Sequence, residues 1–268
     1  MKKFVITSGI FLILSSFLIG CEENIKATED MKKSMVEKQE KKIPETLKLI
    51  KKDENTEQNE EVEQEETVVD SDGLTVVNNP SSLQVVVNKQ RKLPDGYTPN
   101  DLVIPDVPFP FDPNDPKRQL REEAARALED LFEASKQVGL DLHAVSGYRS
   151  YERQKQIYEH NVATRGQEET DKFSARPGTS EHQTGLAMDV STAAEAFALE
   201  QTFKQTPEGQ WVANNAHEYG FIIRYPEGKS AITGYSYEPW HLRYVGKNIA
   251  SAIHEAELTL EEYFGLVP

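Results

Sequence analysis

Between Glu22 and Asp70 the chain carries sixteen acidic and nine basic side chains, a single proline, no glycine and no aromatic ring. Its second half is more extreme, since Asp53 to Asp70 holds nine acids and no base. Such a stretch repels itself and has too few apolar residues to bury a face, so residues 22–73 read as an extended, solvated tether. A core must therefore be built from residues 74–268, the length of one ordinary domain. The 268-residue chain has a net charge of −15, and from Ser71 onward 19 Lys and Arg still face 29 Asp and Glu. That sign repels polyanions, which argues against nucleic acid as a partner and against capture of anionic wall polymers through net charge.

The first 21 residues have another character. Lys2 and Lys3 precede a mostly apolar run from Phe4 to Ile19, short for a membrane span and proportioned like an export signal. The run ends in Leu18-Ile19-Gly20-Cys21, which resembles a bacterial lipobox, where the cysteine is acylated and becomes the first residue of the mature protein. A plain cleaved signal or a short anchor is the alternative, and export follows from either. Cys21 is the only cysteine, so an intramolecular disulfide and a cysteine zinc cluster are both excluded. The expectation is an exported protein, lipid-anchored at the outer face of the cytoplasmic membrane and facing the cell wall.

Within the core-forming part, Leu83 to Lys89 has strand composition and Leu93 to Pro99 reads as turns. Asp115-Pro116 predicts a helix start. Leu120, Ala124, Leu128, Leu131 and Val138 recur at helical spacing, and Gly139 supplies a stop. A short strand follows at Leu142 to Val145, and Ser150 can cap a helix from Tyr151 to about Ala163. Pro207 opens a helix through Trp211 to His217 that Gly220 ends. Phe221 to Arg224 and Tyr237 to Tyr244 read as strands, Lys247 to Ala256 as a closing helix. This order predicts an α+β fold around a small, mainly antiparallel sheet.

The chemistry emerges by elimination. No serine is followed three places later by lysine, Gly-x-Ser-x-Gly is absent, and the lone cysteine lies in the export signal, so nucleophilic catalysis lacks its usual carriers. His217-Glu218 and His254-Glu255 both lack the second histidine of His-Glu-x-x-His. His182, Asp189 and His241 remain, with Glu238 nearby. In one continuous strand, His182 and Asp189 would point to opposite faces. A turn at Gln183-Thr184-Gly185, where glycine is free to take unusual dihedrals, lets both reach one ion. His241, in Glu238-Pro239-Trp240-His241, is the third ligand, with Trp240 as a wall of the site. Two histidines and one carboxylate make a three-ligand Zn²⁺ site that leaves a fourth position for water. Glu238, three residues before His241, can serve as the base without ligating. Singly, each residue has a blander reading, a capped histidine or a solvated glutamate; their setting among Gly, Pro and Trp favours a site.

Ser180-x-His182-x-x-Gly185-x-Ala187-x-Asp189 followed by Glu238-Pro239-Trp240-His241 resembles the paired signature of the VanY-type D-alanyl-D-alanine carboxypeptidases. These share a zinc-peptidase superfamily, with a LAS/Hedgehog-like fold, with D-Ala-D-Ala dipeptidases and phage endolysin peptidases. The similarity extends through Ser146-Gly147-Tyr148-Arg149-Ser150 and Val87-Asn88-Lys89, over roughly residues 83–265. It implies His182, Asp189 and His241 as zinc ligands, Glu238 as general base, and Arg149, Gln154 and Ser180 as holders of the substrate carboxylate. A guanidinium suits that role because it binds a carboxylate through two parallel charge-assisted hydrogen bonds. Ser174, Arg176, Trp211 and Tyr237 are candidate pocket walls, and Tyr148 and Tyr151 candidate packing around the cleft. The implied reaction is removal of the C-terminal D-alanine from peptidoglycan stem peptides. L,D-carboxypeptidase action on tetrapeptide stems (as in the LdcB type) is the alternative, with an endopeptidase or dipeptidase, a zinc-scavenging lipoprotein and a non-catalytic wall-binding module behind it. No obligatory protein partner is implied.

Overall fold

The structure, a computed structural model, describes residues 68–171 and 174–267. The export signal, Cys21 and the tether up to residue 67 lie outside the described residues, as does Phe173. Three short strands come first: β1 (Thr75–Val76), β2 (Arg91–Lys92) and β3 (Leu102–Val103). β4 (Leu120–Arg121) leads into helix α1 (Glu122–Gln137), and β5 (His143–Ser146) into α2 (Tyr151–Arg165). Then follow β6 (Ala187–Ser191), α3 (Pro207–Asn215), β7 (Phe221–Ile223) and β8 (His241–Tyr244). The chain closes with α4 (Lys247–Ala256) and α5 (Leu260–Phe264).

The expected antiparallel sheet is present, four strands in the order β5-β6-β8-β7. Every residue of β6 and β8 is buried, because the sheet is covered on both faces. Against one face α1 packs Ala124, Ala125, Leu128, Leu131 and Phe132, which join Met188, Val190, Leu242 and Tyr244 in the main core. A smaller cluster of Val86, Ile222, Val245, Ala250, Ile253 and Leu260 seats α4 and α5. Burial of such side chains contributes about 1.5–3 kcal/mol each relative to exposure.

Several boundaries differ from the sequence reading. Asp115 does cap a turn, accepting from Lys117 N, but Pro116–Arg118 is a single 3-10 turn and the chain extends through β4 before α1 begins. The reason is pairing: β4 hydrogen-bonds antiparallel to β3, and Arg121 N donates to Gly185 O. Val138, counted on the apolar stripe, is 61% exposed because α1 ends at Gln137.

Leu83 to Lys89 is not a strand. Val85, Val86 and Val87 are buried, yet the carbonyls of Leu83 and Val85 are taken by the Arg243 guanidinium and not by a ladder. The strand expected from Tyr237 starts only at His241, since His241 N turns back to Glu238 O. The folded part also reaches before Leu74: Val69 bridges Thr75, and Asp70 pairs with Lys92. No helix among the described residues is long and apolar enough to cross a membrane.

Candidate active site

Strand register builds the centre of the site. Asp189 in β6 is paired directly with His241 in β8, which places their side chains on one face about 5 Å apart at Cβ. His182 arrives from the other direction. A 3-10 turn spans Glu181–Thr184, and Gly185 reverses the chain in the left-handed region at φ 69° before β6 starts. The turn anticipated at Gln183-Thr184-Gly185 is thus the device that brings His182 to Asp189. The resulting ligand atoms of His182, Asp189 and His241 all lie within 4.8 Å of one another, and all three residues are buried.

The outer nitrogen of each ring is held. His182 Nδ1 is 2.8 Å from Gly147 O, and His241 Nε2 is 3.0 Å from Glu181 Oε2. With these outer nitrogens engaged, His182 Nε2 and His241 Nδ1 are the ring atoms left facing Asp189, and they are the atoms a metal ion would bind once deprotonated. Asp189 Oδ1 sits 3.0 Å from His241 Nδ1 but outside hydrogen-bonding alignment, and it is buried without a hydrogen-bond partner. His182 Nε2 lies 3.3 Å from the other oxygen, Oδ2; a carboxylate facing two imidazoles with one oxygen orphaned is what a cation would satisfy, and an N₂O set suits Zn²⁺.

Gly147 is there because nothing larger fits: a Cβ would stand 2.5 Å from Gln119 O and 2.8 Å from Met188 Cε. It follows a bulge, since Ala144 pairs with Val190 but Ser146 with Asp189. The bulge bends β5 and aims Gly147-Tyr148-Arg149 across the site. Arg149 N donates to His182 O, while its guanidinium donates to Gln154 Oε1 and Ser146 Oγ.

A cavity of about 200 Å³ opens on this centre, lined by Arg149, Ser180, Glu238, Trp240 and Leu199 together with Ala175, Tyr225, Tyr235 and the ligand cluster. Trp240 therefore walls the site as expected. Gln154 does not line it; its amide is spent on Arg149 and on Ala175 O, so it holds Arg149 in place. Ser174, Arg176, Trp211 and Tyr237 do not line it either. Arg176 forms a two-pronged pair with Asp171, and Trp211 packs on Tyr219 at the core margin. Tyr148 is buried with its hydroxyl on Thr98.

Burial and charge set the proton affinities. Burial pushes the Glu238 carboxyl up to about 7 against the pull of nearby His241, whose Nδ1 lies 3.7 Å from Glu238 Oε2. Burial would lower His241, but the Asp189 and Glu181 carboxylates outweigh it and hold the ring up to about 10. Desolvation also opposes ionisation of Asp189, yet the two histidines keep it well below the usual carboxylate range. His182 is pushed down by burial.

Comparison with known proteins agrees with this geometry. The VanY family model, D-alanyl-D-alanine carboxypeptidase, matches residues 117–247. YodJ of Bacillus subtilis is 54% identical over 193 residues, 72% of this chain and 71% of that protein. The chain belongs to the VanY family. Its fold matches that of the LdcB LD-carboxypeptidase with a TM-score of 0.72 and 52% identity, over 75% of this chain and 94% of that one. The D,D-pentapeptidase VanY from a VanB-type cassette, solved with Zn(II), matches with a TM-score of 0.54 and 32% identity over 69% and 99%. As a VanY-family member the protein is a zinc metallopeptidase of the carboxypeptidase class.

Sequence reasoning missed Glu181, Tyr225, Tyr235 and Leu199. Glu181 stands beside the candidate ligand His182 in sequence and could have been found as a carboxylate able to hold an imidazole N–H. The tyrosines and Leu199 carry no local signal, because only the fold brings them to the cavity.

Proposed function

We propose that the protein removes the C-terminal D-alanine from peptidoglycan stem peptides, with His182, Asp189 and His241 as zinc ligands and Glu238 as general base. The observation that carries this reading is Arg149: a half-buried guanidinium, held by Gln154 and Ser146, opens into the same small cavity as the ligand cluster and Glu238. A cation fixed there selects a free terminal carboxylate and sets the scissile bond at one distance from the metal centre. Ser180, on the same wall, offers a hydroxyl to that carboxylate.

Zinc supplies Lewis acidity at the scissile carbonyl and makes water a stronger nucleophile. Glu238 takes the proton from the water that adds to the carbonyl carbon. As the C–N bond breaks, the same carboxyl returns that proton to the amine nitrogen, and D-alanine leaves as the free amino acid. Tyr225, Tyr235 and Trp240 keep the cavity partly dry, which strengthens the hold of Arg149 on its anion.

Cleavage of the L,D bond in tetrapeptide stems is the second reading, favoured by the 52% identity to an LD-carboxypeptidase. Both substrates end in D-alanine, so the carboxylate clamp serves either. We further propose that Cys21 is the lipid attachment site and that residues 22–67 span from the outer face of the membrane toward the wall. The lipobox-like Leu18-Ile19-Gly20-Cys21 and the acidic composition of that segment support this placement. Weighing the products from penta- and tetrapeptide stems tests the assignment. Loss of one alanine residue from the pentapeptide supports D,D-carboxypeptidase action and loss only from the tetrapeptide the L,D reading. Release of a dipeptide or an internal cut overturns both.

A further inference from the structure

The carboxylate that holds His241 is itself held by a buried, charge-balanced network that leaves the matched family segment at both ends. Glu181 Oε1 accepts from Arg224 Nε and from Arg243 at 2.7 Å each, and Glu181 Oε2 faces His241. Arg224 spends its other two nitrogens on Glu261, at 2.9 and 2.6 Å, and Glu261 also accepts from Asn88 at 3.1 Å. Arg243 completes its shell on Tyr244 O, Leu83 O and Val85 O. All four charged side chains are at most 1% exposed.

Strand geometry explains the arrangement. His241 and Arg243 alternate onto one face of β8, and Arg224, just beyond β7, donates its N–H to His241 O. Two positive and two negative charges meet there, and the arginine fork fixes the Glu181 carboxylate in angle as well as position. Removing a member leaves an uncompensated buried charge, so the partners must shift. Glu181 cannot shift without carrying the Nε2 partner of His241 with it. Glu261 and Asn88 lie outside residues 117–247, in segments that look peripheral to the chemistry.

We propose that Glu261, in the C-terminal helix α5, is a positioning residue of the metal centre, acting through Arg224 and Glu181 on His241. The inference rests on His241 being a zinc ligand. Outer partners of metal-bound histidines typically change metal affinity 10–100-fold, and a partner one step further out acts at the lower end of that range.

The experiment is zinc affinity by competition with a chromophoric chelator, together with the visible spectrum of the cobalt-substituted protein, on the full chain. Wild type binding about one zinc is the control; if it binds none, the zinc-site reading fails before Glu261 is tested. Glu261→Gln is expected to weaken zinc roughly tenfold and to alter the cobalt spectrum. Glu181→Gln should weaken it more, and the double variant should add little to Glu181→Gln because both changes act along one chain of contacts. Thr259→Ala removes the hydroxyl half of the capping box of α5 without touching a charge, and should lower stability while leaving zinc affinity unchanged. Where Glu261→Gln does not fold, Glu261→Asp keeps the charge but is one methylene too short for both Arg224 nitrogens, and about a threefold loss is expected. Wild-type affinity and spectrum in a folded Glu261 variant, or an equal loss in Thr259→Ala, would overturn the proposal.

Discussion

Asp189 and His241 face each other as a register pair across β6 and β8, with Oδ1 and Nδ1 3.0 Å apart. Two candidate ligands are thus set by the register of neighbouring central strands, and only His182 depends on a turn. Asp189→Ala is therefore expected to reduce bound zinc from about one per chain to below about a tenth, measured by elemental analysis after desalting. Retention of stoichiometric zinc would place the metal elsewhere.

Metal uptake must displace protons. Without a cation His241 is held up to about 10, so near pH 7 it carries a proton on Nδ1, the atom a metal needs. Zinc binding to metal-free protein at pH 7 is expected to release at least about one proton per ion, and the affinity to rise with pH. Titration calorimetry in two buffers of different ionisation heat reads this directly. Identical heats would contradict the assignment of His241.

Glu238 imposes a stability cost that can be measured apart from turnover. Its folded value of about 7 stands above the ordinary 4.5, so between those pH values the native state binds more protons than the unfolded one. The contribution of Glu238 to stability then falls as pH rises from 4.5 to 7 and stays lower above. In zinc-free protein, Glu238→Gln should match wild type at pH 4.5 and exceed it at pH 8 by at most about 3 kcal/mol. Urea unfolding at the two pH values tests this, and an equal offset at both would count against it.

How much of this was legible beforehand depends on how local the signal is. α4 runs over Lys247–Ala256 as read from sequence, and Ser150 caps α2 as expected, accepting from Arg153 N. The ligand cluster and Glu238 were visible because each sits in a short motif of Gly, Pro and Trp. The false strand at Leu83 to Lys89 shows the opposite case. Its composition is that of a strand, but Arg243, some 160 positions away in sequence, supplies the hydrogen bonds. Arg224, Arg243 and Glu261 likewise come together with Glu181 only through the fold. Nothing in the neighbouring residues says that they are buried.

Carboxylate recognition predicts a specific coupling. Amidating the substrate's terminal carboxylate and replacing Arg149 by Ala should each cost roughly 2–4 kcal/mol in kcat/KM. The two changes together should cost little more than either alone, since one interaction cannot be removed twice. Arg149→Lys should recover only part. Equal cleavage of free acid and amide by the wild-type enzyme would favour an endopeptidase.

Under the proposed function, Glu238 works as a base beside a zinc it does not bind. Glu238→Gln is nearly isosteric and cannot accept a proton, so zinc content and turnover should be measured on one preparation of that variant. The expected outcome is about one zinc per chain and turnover lowered by roughly two to four orders of magnitude. Loss of the metal would make Glu238 a ligand, and wild-type turnover with zinc in place would remove it from the chemistry.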